Sequence, residues 1–305
     1  MGFLELLSGD QKILSQGAIF ESLRRNSEVE FDENVFHAGL IYNQVYSEIL
    51  EGFYRAYIDT AVKHGLPIAI GTATWRASQE RISASSFADR PVNEDNVQFL
   101  KGIRDTYADS GITILIEGDI GPRGDAYKPE EALGAIEAQS FHSYQIEALA
   151  SSGVDYLQAS TFPAITEALG VAAAMSATRL PYVISFVVDK SGCLLDGTKL
   201  SDAVGQIDDE VGANDANFAI NCVHPSVLKT ALDRNPEIHG RVISFHANTS
   251  DLSVEELDDS DELITEDPDS FARVYGDLLA AHNIKIVGGC CGTNPDHIKA
   301  IADIL

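Results

Sequence analysis

Ile112-Thr113-Ile114-Leu115-Ile116 is a run of branched residues that ends in Glu117-Gly118-Asp119. Its length and β-branched content are those of a strand. A strand that is apolar on both faces is covered on both faces, as in a parallel sheet flanked by helices. Working outward, the same kind of run recurs at 13–19, 67–74, 154–161, 181–188, 218–223, 241–248 and 284–289. Between the runs lie segments with apolar residues at helical spacing: 45–64, 93–110, 129–152, 164–178, 226–233, 268–282 and 295–305. The segment at 198–211 carries the same expectation on a weaker pattern. Gly65, Gly111 and Gly153 follow three of these helices, where a left-handed cap is wanted. Eight strands alternating with helices predict a (β/α)8 TIM barrel over residues 1–305, with a doubly wound open sheet as the alternative. A typical barrel takes about 250 residues. The surplus is expected in the region up to Asn43 and in long loops, including an acidic excursion at 250–270 that reads as a solvated loop or as a flap.

The totals limit the function. The chain has 305 residues, 45% hydrophobic and 22% charged, which suits a large core. A net charge of −26, from 21 basic and 47 acidic residues, repels phosphate backbones and anionic lipid. Nucleic acid and membrane are therefore not expected partners. No apolar run reaches the ~20 residues of a membrane span, and the first ten residues lack a signal-peptide charge pattern, so a cytoplasmic location is expected.

The cysteines point to chemistry. Gly288-Gly289-Cys290-Cys291-Gly292-Thr293 ends the last strand, and Asn221-Cys222 ends the sixth. Barrel active sites gather at the C-terminal ends of strands, so these three thiols are expected on one rim. Zinc prefers four ligands, and three cysteines leave one position for a substrate. Three thiolates make a poor activator of water but can hold a further thiol ionised near neutral pH, which favours alkyl transfer to sulfur over hydrolysis. The alternatives are a vicinal disulfide at 290–291 or a buried filler role for Cys222. Cys193 reads as a loop residue. His224 and His246 read as structural, with a fourth metal ligand or a base as the alternative, and Gly118, Gly121 and Gly124 as a turn whose spacing does not match a nucleotide loop. Trp75 and Tyr127 read as core or as a wall for a cationic ligand.

The ordered set of Gly118-Asp119-Ile120-Gly121-Pro122, Gly153-Val154-Asp155, Ile184-Ser185-Phe186, Asp196-Gly197, Asn221-Cys222 with Pro225, and Gly288-Gly289-Cys290-Cys291 resembles the zinc-dependent homocysteine S-methyltransferases through most of the chain. The resemblance implies a (β/α)8 barrel with zinc on Cys222, Cys290 and Cys291, and methyl transfer to the sulfur of homocysteine to give methionine. It also implies an acceptor site at Gln16, Gly17, Glu117, Ser160 and Asn248. The family usually has Asp-Gly where Gln16-Gly17 stands and Glu-Thr where Ser160-Thr161 stands, both acids serving the amino group of homocysteine. It has a Tyr-Pro-Asn-like stretch where this chain has His246-Ala247-Asn248. Glu117 or Asp119 could compensate for the missing acids. Otherwise the acceptor is a thiol without that head group, or the barrel binds zinc and thiol without turnover. The methyl donor would be a small sulfonium, such as S-methylmethionine or S-adenosylmethionine, or a separate corrinoid partner protein.

Overall fold

A parallel strand buried between helices on one side and a barrel interior on the other has no face for polar residues until it reaches the barrel mouth. The computed structural model describes residues 1–213, 215–252 and 265–305, and it shows this pattern around a closed ring. The strands are β1 Ile13–Ser15, β2 Ile68–Gly71, β3 Ile114–Ile120, β4 Tyr156–Phe162, β5 Tyr182–Phe186, β6 Asn217–Val223, β7 Val242–Ala247 and β8 Ile286–Gly289. Each pairs in parallel with the next, and Ile13 opposite Ile286 closes the ring between β1 and β8. The open-sheet alternative is thereby excluded.

The helices pack outside the ring. In chain order they are α1 Phe3–Ser8, α2 Ile19–Arg24, α3 Gln44–His64, α4 Gln79–Ala84, α5 Val92–Asp105 and α6 Ala135–Ser151, then α7 Ile165–Ala177, α8 Leu200–Val211, α9 Pro225–Arg234, α10 Pro268–Ala281 and α11 Pro295–Asp303. Their apolar faces and the outward residues of the strands form one large core cluster. Gly65 (φ +63°) and Gly153 (φ +80°) take the left-handed conformation that ends a helix without a Cβ penalty.

The inside of the ring is divided along its axis. Ile13, Ala69, Leu115, Tyr156, Val183, Ala219 and Ile286 form an apolar floor. The helix α1 plugs it with Phe3 and Leu6, Phe3 stacking on Tyr156 with ring centroids 4.2 Å apart. Polar residues begin two positions further along several strands, at Ser15, Glu117, Gln158, Ser185 and Asn221. This is the period of two that sends i and i+2 to the same face.

Some boundaries differ from the sequence expectation. The first strand stops at Ser15 instead of Ile19, because Ile19 and Leu23 share the buried face of α2. The segment 129–152 is broken after a 3-10 turn at Pro129–Glu131, and the helix restarts at Ala135. The helices α1, α2 and α4 have six residues each, too few to display a helical period in sequence. Of the acidic excursion at 250–270, residues 253–264 lie outside the described residues.

Candidate active site

The mouth of the barrel opens into a cavity of about 400 Å³ whose walls include Gln16, Gly17, Glu117, Ser160, Asn248 and all three cysteines of the rim. The sulfur wall is built by β6 and β8. The pairing register of β6 with β7 slips between Asn221 and Val223, and Cys222 at the slip has φ +59°. Such a bulge re-aims one side chain, and a left-handed non-glycine residue is strain of the kind that active sites hold in place. Two bonds from Asn248 hold it here. Its backbone N–H donates to Val223 O (2.9 Å) and its side-chain Nδ2 donates to Cys222 O (2.9 Å).

On β8 the close approach to β1 excludes side chains. A Cβ on Gly288 would lie 2.7 Å from Ser15 Cβ, and one on Gly289 would overlap Thr293. The cysteine turn that follows is tied down from all sides. Cys290 N donates to Ala247 O (2.7 Å), Thr293 Oγ1 to Cys290 O (2.7 Å), Thr249 N to Cys291 O (3.2 Å) and Gly292 N to Glu21 Oε2 (2.5 Å).

The sulfur atoms of Cys222, Cys290 and Cys291 all lie within 4.8 Å of one another, and all four cysteines are free thiols. Tetrahedral zinc with bonds of about 2.3 Å spaces its sulfurs roughly 3.8 Å apart, so the trio can close on one metal ion once Cys222 and Cys290, whose sulfurs lie 2.6 Å apart, separate to that spacing. Without an ion the three cannot ionise together. Hydrogen bonds from Cys222 and then Cys290 hold Cys291 well below the usual thiol range. Cys290 is pushed up, first by its contact with Cys222, then by Cys291 and burial. The Tyr127 hydroxyl reaches the sulfur of Cys222.

The opposite wall is acidic. Tyr156 OH donates to Glu117 Oε2 (2.5 Å), and Ser160 Oγ donates to Asp119 Oδ1 (2.6 Å). Burial, and next the charge of Asp119, pushes Glu117 well above the usual carboxylate range; burial also pushes Asp119 up. Gln16 is turned aside, its Oε1 accepting from Gly71 N (3.0 Å). Asn221 Oδ1 accepts from Ser185 Oγ (2.6 Å) and Thr161 N (3.1 Å), which joins the acidic wall to the sulfur wall through the floor of the cavity.

The loop after β3 carries Tyr127 over the cavity and is fixed at both ends. Glu167, fully buried, accepts from Arg123 N (2.8 Å) and Leu133 N (3.3 Å) and pairs with His142 (2.9 Å). Arg76 donates to Pro122 O (2.7 Å) and Gly124 O (2.6 Å) while its guanidinium lies 4.1 Å from the Trp75 ring. Gly121 lets this loop touch Trp75: its N–H donates to Trp75 O (3.0 Å), and a Cβ would lie 2.6 Å from that oxygen. The glycines after β3 are therefore a packing turn.

His224 lies outside the cavity and caps α9, its Nδ1 2.7 Å from Ser226 Oγ. His246 lines the cavity as a neutral imidazole, since burial lowers it to about 4. Cys193 sits in the loop after β5, away from the sulfur cluster. Gln158 received no role from sequence, although alternation from Ser160 places it on the same face of β4. The roles of Glu167 and His142 leave no sequence signal, because Glu167 accepts from distant backbone groups and His142 pairs with Glu167 from 25 residues away.

The family model for homocysteine S-methyltransferases matches residues 13–305. The chain belongs to the homocysteine S-methyltransferase family. It is 26% identical over 198 residues to homocysteine S-methyltransferase YbgG of Bacillus subtilis (strain 168), covering 62% of this chain and 60% of that protein. It is 25% identical over 279 residues to selenocysteine methyltransferase of Astragalus bisulcatus, covering 80% of each. Its fold matches the homocysteine methyltransferase MmuM from Escherichia coli at 22% identity in the oxidized form, with a TM-score of 0.76 over 99% of this chain and 98% of that one. The metallated form of the same protein matches with a TM-score of 0.74 at 21% identity, over 96% of each chain. Among the described residues no helix is long and apolar enough to cross a membrane.

Proposed function

We propose that this family member moves a methyl group from a small donor to the sulfur of an amino-acid thiol, homocysteine being the first candidate, on a zinc ion held by Cys222, Cys290 and Cys291. The observation that carries the reading is the meeting of three sulfurs from two separate strands at the mouth of one cavity. Family membership and the metallated E. coli relative support it. When bound, zinc would lower the pKa of a fourth, incoming thiol and keep it nucleophilic near neutral pH.

The chain's own residues do the rest. Asn248 holds the Cys222 carbonyl and with it the strained turn that aims the sulfur. Thr293 and Glu21 fix the Cys290–Gly292 turn. The clamped loop brings Tyr127 beside Cys222, and Trp75 stands on the same wall, which suits a sulfonium donor whose charge an aromatic face attracts. Gln16, Gly17, Glu117, Ser160 and Asn248 line the acceptor side. No general base is assigned, because an ionised sulfur that displaces a methyl group from an onium has no proton to lose.

Metal content measured on the protein as isolated tests the reading, with Cys291→Ala alongside. About one zinc per wild-type chain and almost none in the variant are expected. A methyl-transfer assay over a panel of thiols, using S-methylmethionine and S-adenosylmethionine as donors, then fixes the acceptor. Bound zinc with no transfer to any thiol would leave a non-catalytic binding barrel.

A further inference from the structure

An amino-acid thiol brings an ammonium group into the cavity, and the side chains at the ends of β1 and β4 that the resemblance implies for it, Gln16 and Ser160, are uncharged. The acidic wall on β3 supplies the charge from a different strand. Glu117 and Asp119 are two residues apart on β3, so both side chains leave the same face, and both line the cavity. Each accepts a hydrogen bond from a hydroxyl, Tyr156 for Glu117 and Ser160 for Asp119. Among the described residues neither carboxylate forms an ion pair with a Lys, Arg or His.

A second observation comes from β4. Gln158 lies directly across from Asp119 in the strand register and is only 1% exposed. Its Nε2 donates to Ser160 Oγ (3.2 Å), while its Oε1 has no donor. Acceptor atoms from three side chains therefore gather on one wall, and one of them, Gln158 Oε1, is buried with no donor. Leaving buried acceptors unmet is costly, and a primary ammonium offers three N–H donors together with the missing positive charge.

We propose that Glu117 and Asp119, with Gln158 Oε1, form the subsite for the ammonium group of the acceptor, so that β3 carries the charge that β1 and β4 lack in this chain. The proposal rests on the S-methyl-transfer reading. It gives roles to the neighbours: Tyr156 and Ser160 fix the two carboxylates, and Gly71 leaves room, since a Cβ there would lie 3.1 Å from Glu117 Oε1. Among the described residues, Tyr54 and Tyr156 are titratable groups that feel the pair, and neither supplies a positive charge. A bound ammonium would favour the ionised form of both carboxylates against their burial.

Isothermal titration calorimetry on the zinc-loaded protein tests this with two ligands. Homocysteine has the thiol and the ammonium; 4-sulfanylbutanoate has the same thiol and carboxylate without the ammonium. The wild type is expected to bind homocysteine at least about tenfold more tightly, the scale of one charge-assisted hydrogen bond. Glu117→Gln and Asp119→Asn should each erode that preference and the double variant abolish it, with 4-sulfanylbutanoate affinity holding within about threefold. Both substitutions keep an acceptor oxygen for the neighbouring hydroxyl, and zinc content shows that the sulfur site is intact. If the double variant loses zinc, the single variants and the wild-type comparison still decide. Equal affinity for the two ligands in the wild type, or a preference that survives both substitutions, overturns the subsite. If zinc loading strengthens neither thiol, the methyl-transfer reading itself fails, and the subsite fails with it.

Discussion

The two walls of the cavity are built on opposite principles. The sulfur wall is held by the backbone: Cys222 sits at a register slip with φ +59°, and backbone or near-backbone hydrogen bonds fix both cysteine turns. The acidic wall is held by side chains: Glu117 and Asp119 stand on regular strand, and two hydroxyls from β4 orient them. Ligands to a metal must be placed to within fractions of an ångström, which rigid backbone does well. A group that recognises one end of a substrate can be exchanged between strands, because charge acts over a longer range than coordination. Gln16 and Ser160 beside Glu117 and Asp119 are what such an exchange would leave.

The largest effects should come from the sulfur wall. Cys222→Ala, Cys290→Ala or Cys291→Ala is expected to remove the metal, measured by elemental analysis, and to lower methyl transfer by more than the ~100-fold that loss of an outer-shell partner can cost. Retention of full metal by any one of them would break the idea of a single three-sulfur site. Asn248→Ala leaves every sulfur in place and loosens the turn that presents Cys222. Its zinc affinity, read by competition with a chelator, should fall about 10–100-fold.

Leu115→Ala probes the floor beneath both walls. Leu115 is 1% exposed in the apolar cluster, so the cavity created should cost about 2–5 kcal/mol in denaturant unfolding. Zinc bound per folded chain should not change. A stability loss accompanied by loss of metal from folded protein would show that the floor and the mouth are not independent.

The acidic wall predicts a smaller, pH-dependent effect. Both carboxylates are raised in the folded protein, so the folded state holds protons that the unfolded state releases. Their contribution to stability is present in full below the ordinary carboxylate range. It is lost as the pH rises from that range through the raised values. In the ligand-free protein, thermal midpoints should fall across that window, and Glu117→Gln with Asp119→Asn should flatten the fall. The same slope in wild type and double variant would show that the pair does not titrate there. The smallest effect is expected from Cys193→Ser. It lies outside the sulfur cluster and should leave zinc content and transfer unchanged.

The strand-and-helix alternation was legible because burial on both faces writes continuous apolar runs, and all eight strands fall within or close to the runs read for them. The three cysteines were legible because glycine flanks and strand ends are sequence features. Asp119 could be placed beside Glu117 by alternation along β3. Gln158 could be placed on the face of Ser160 in the same way, but its unmet oxygen could not be foreseen.

The order of residues alone determined the alternation of strands and helices and the strand ends that carry the thiols, because local periodicity and strand ends are properties of neighbours along the chain. Only the tertiary structure decided the rest. It set the slip that turns Cys222 inward, gave the Asn248 side chain to the Cys222 carbonyl, and clamped the loop over the cavity through Glu167 and Arg76. It also left both acids, among the described residues, with hydroxyl partners and no ion pair to a Lys, Arg or His. These depend on contacts between residues far apart in sequence, and the physical reason is that a hydrogen bond or an unpaired charge is defined by what lies across the gap.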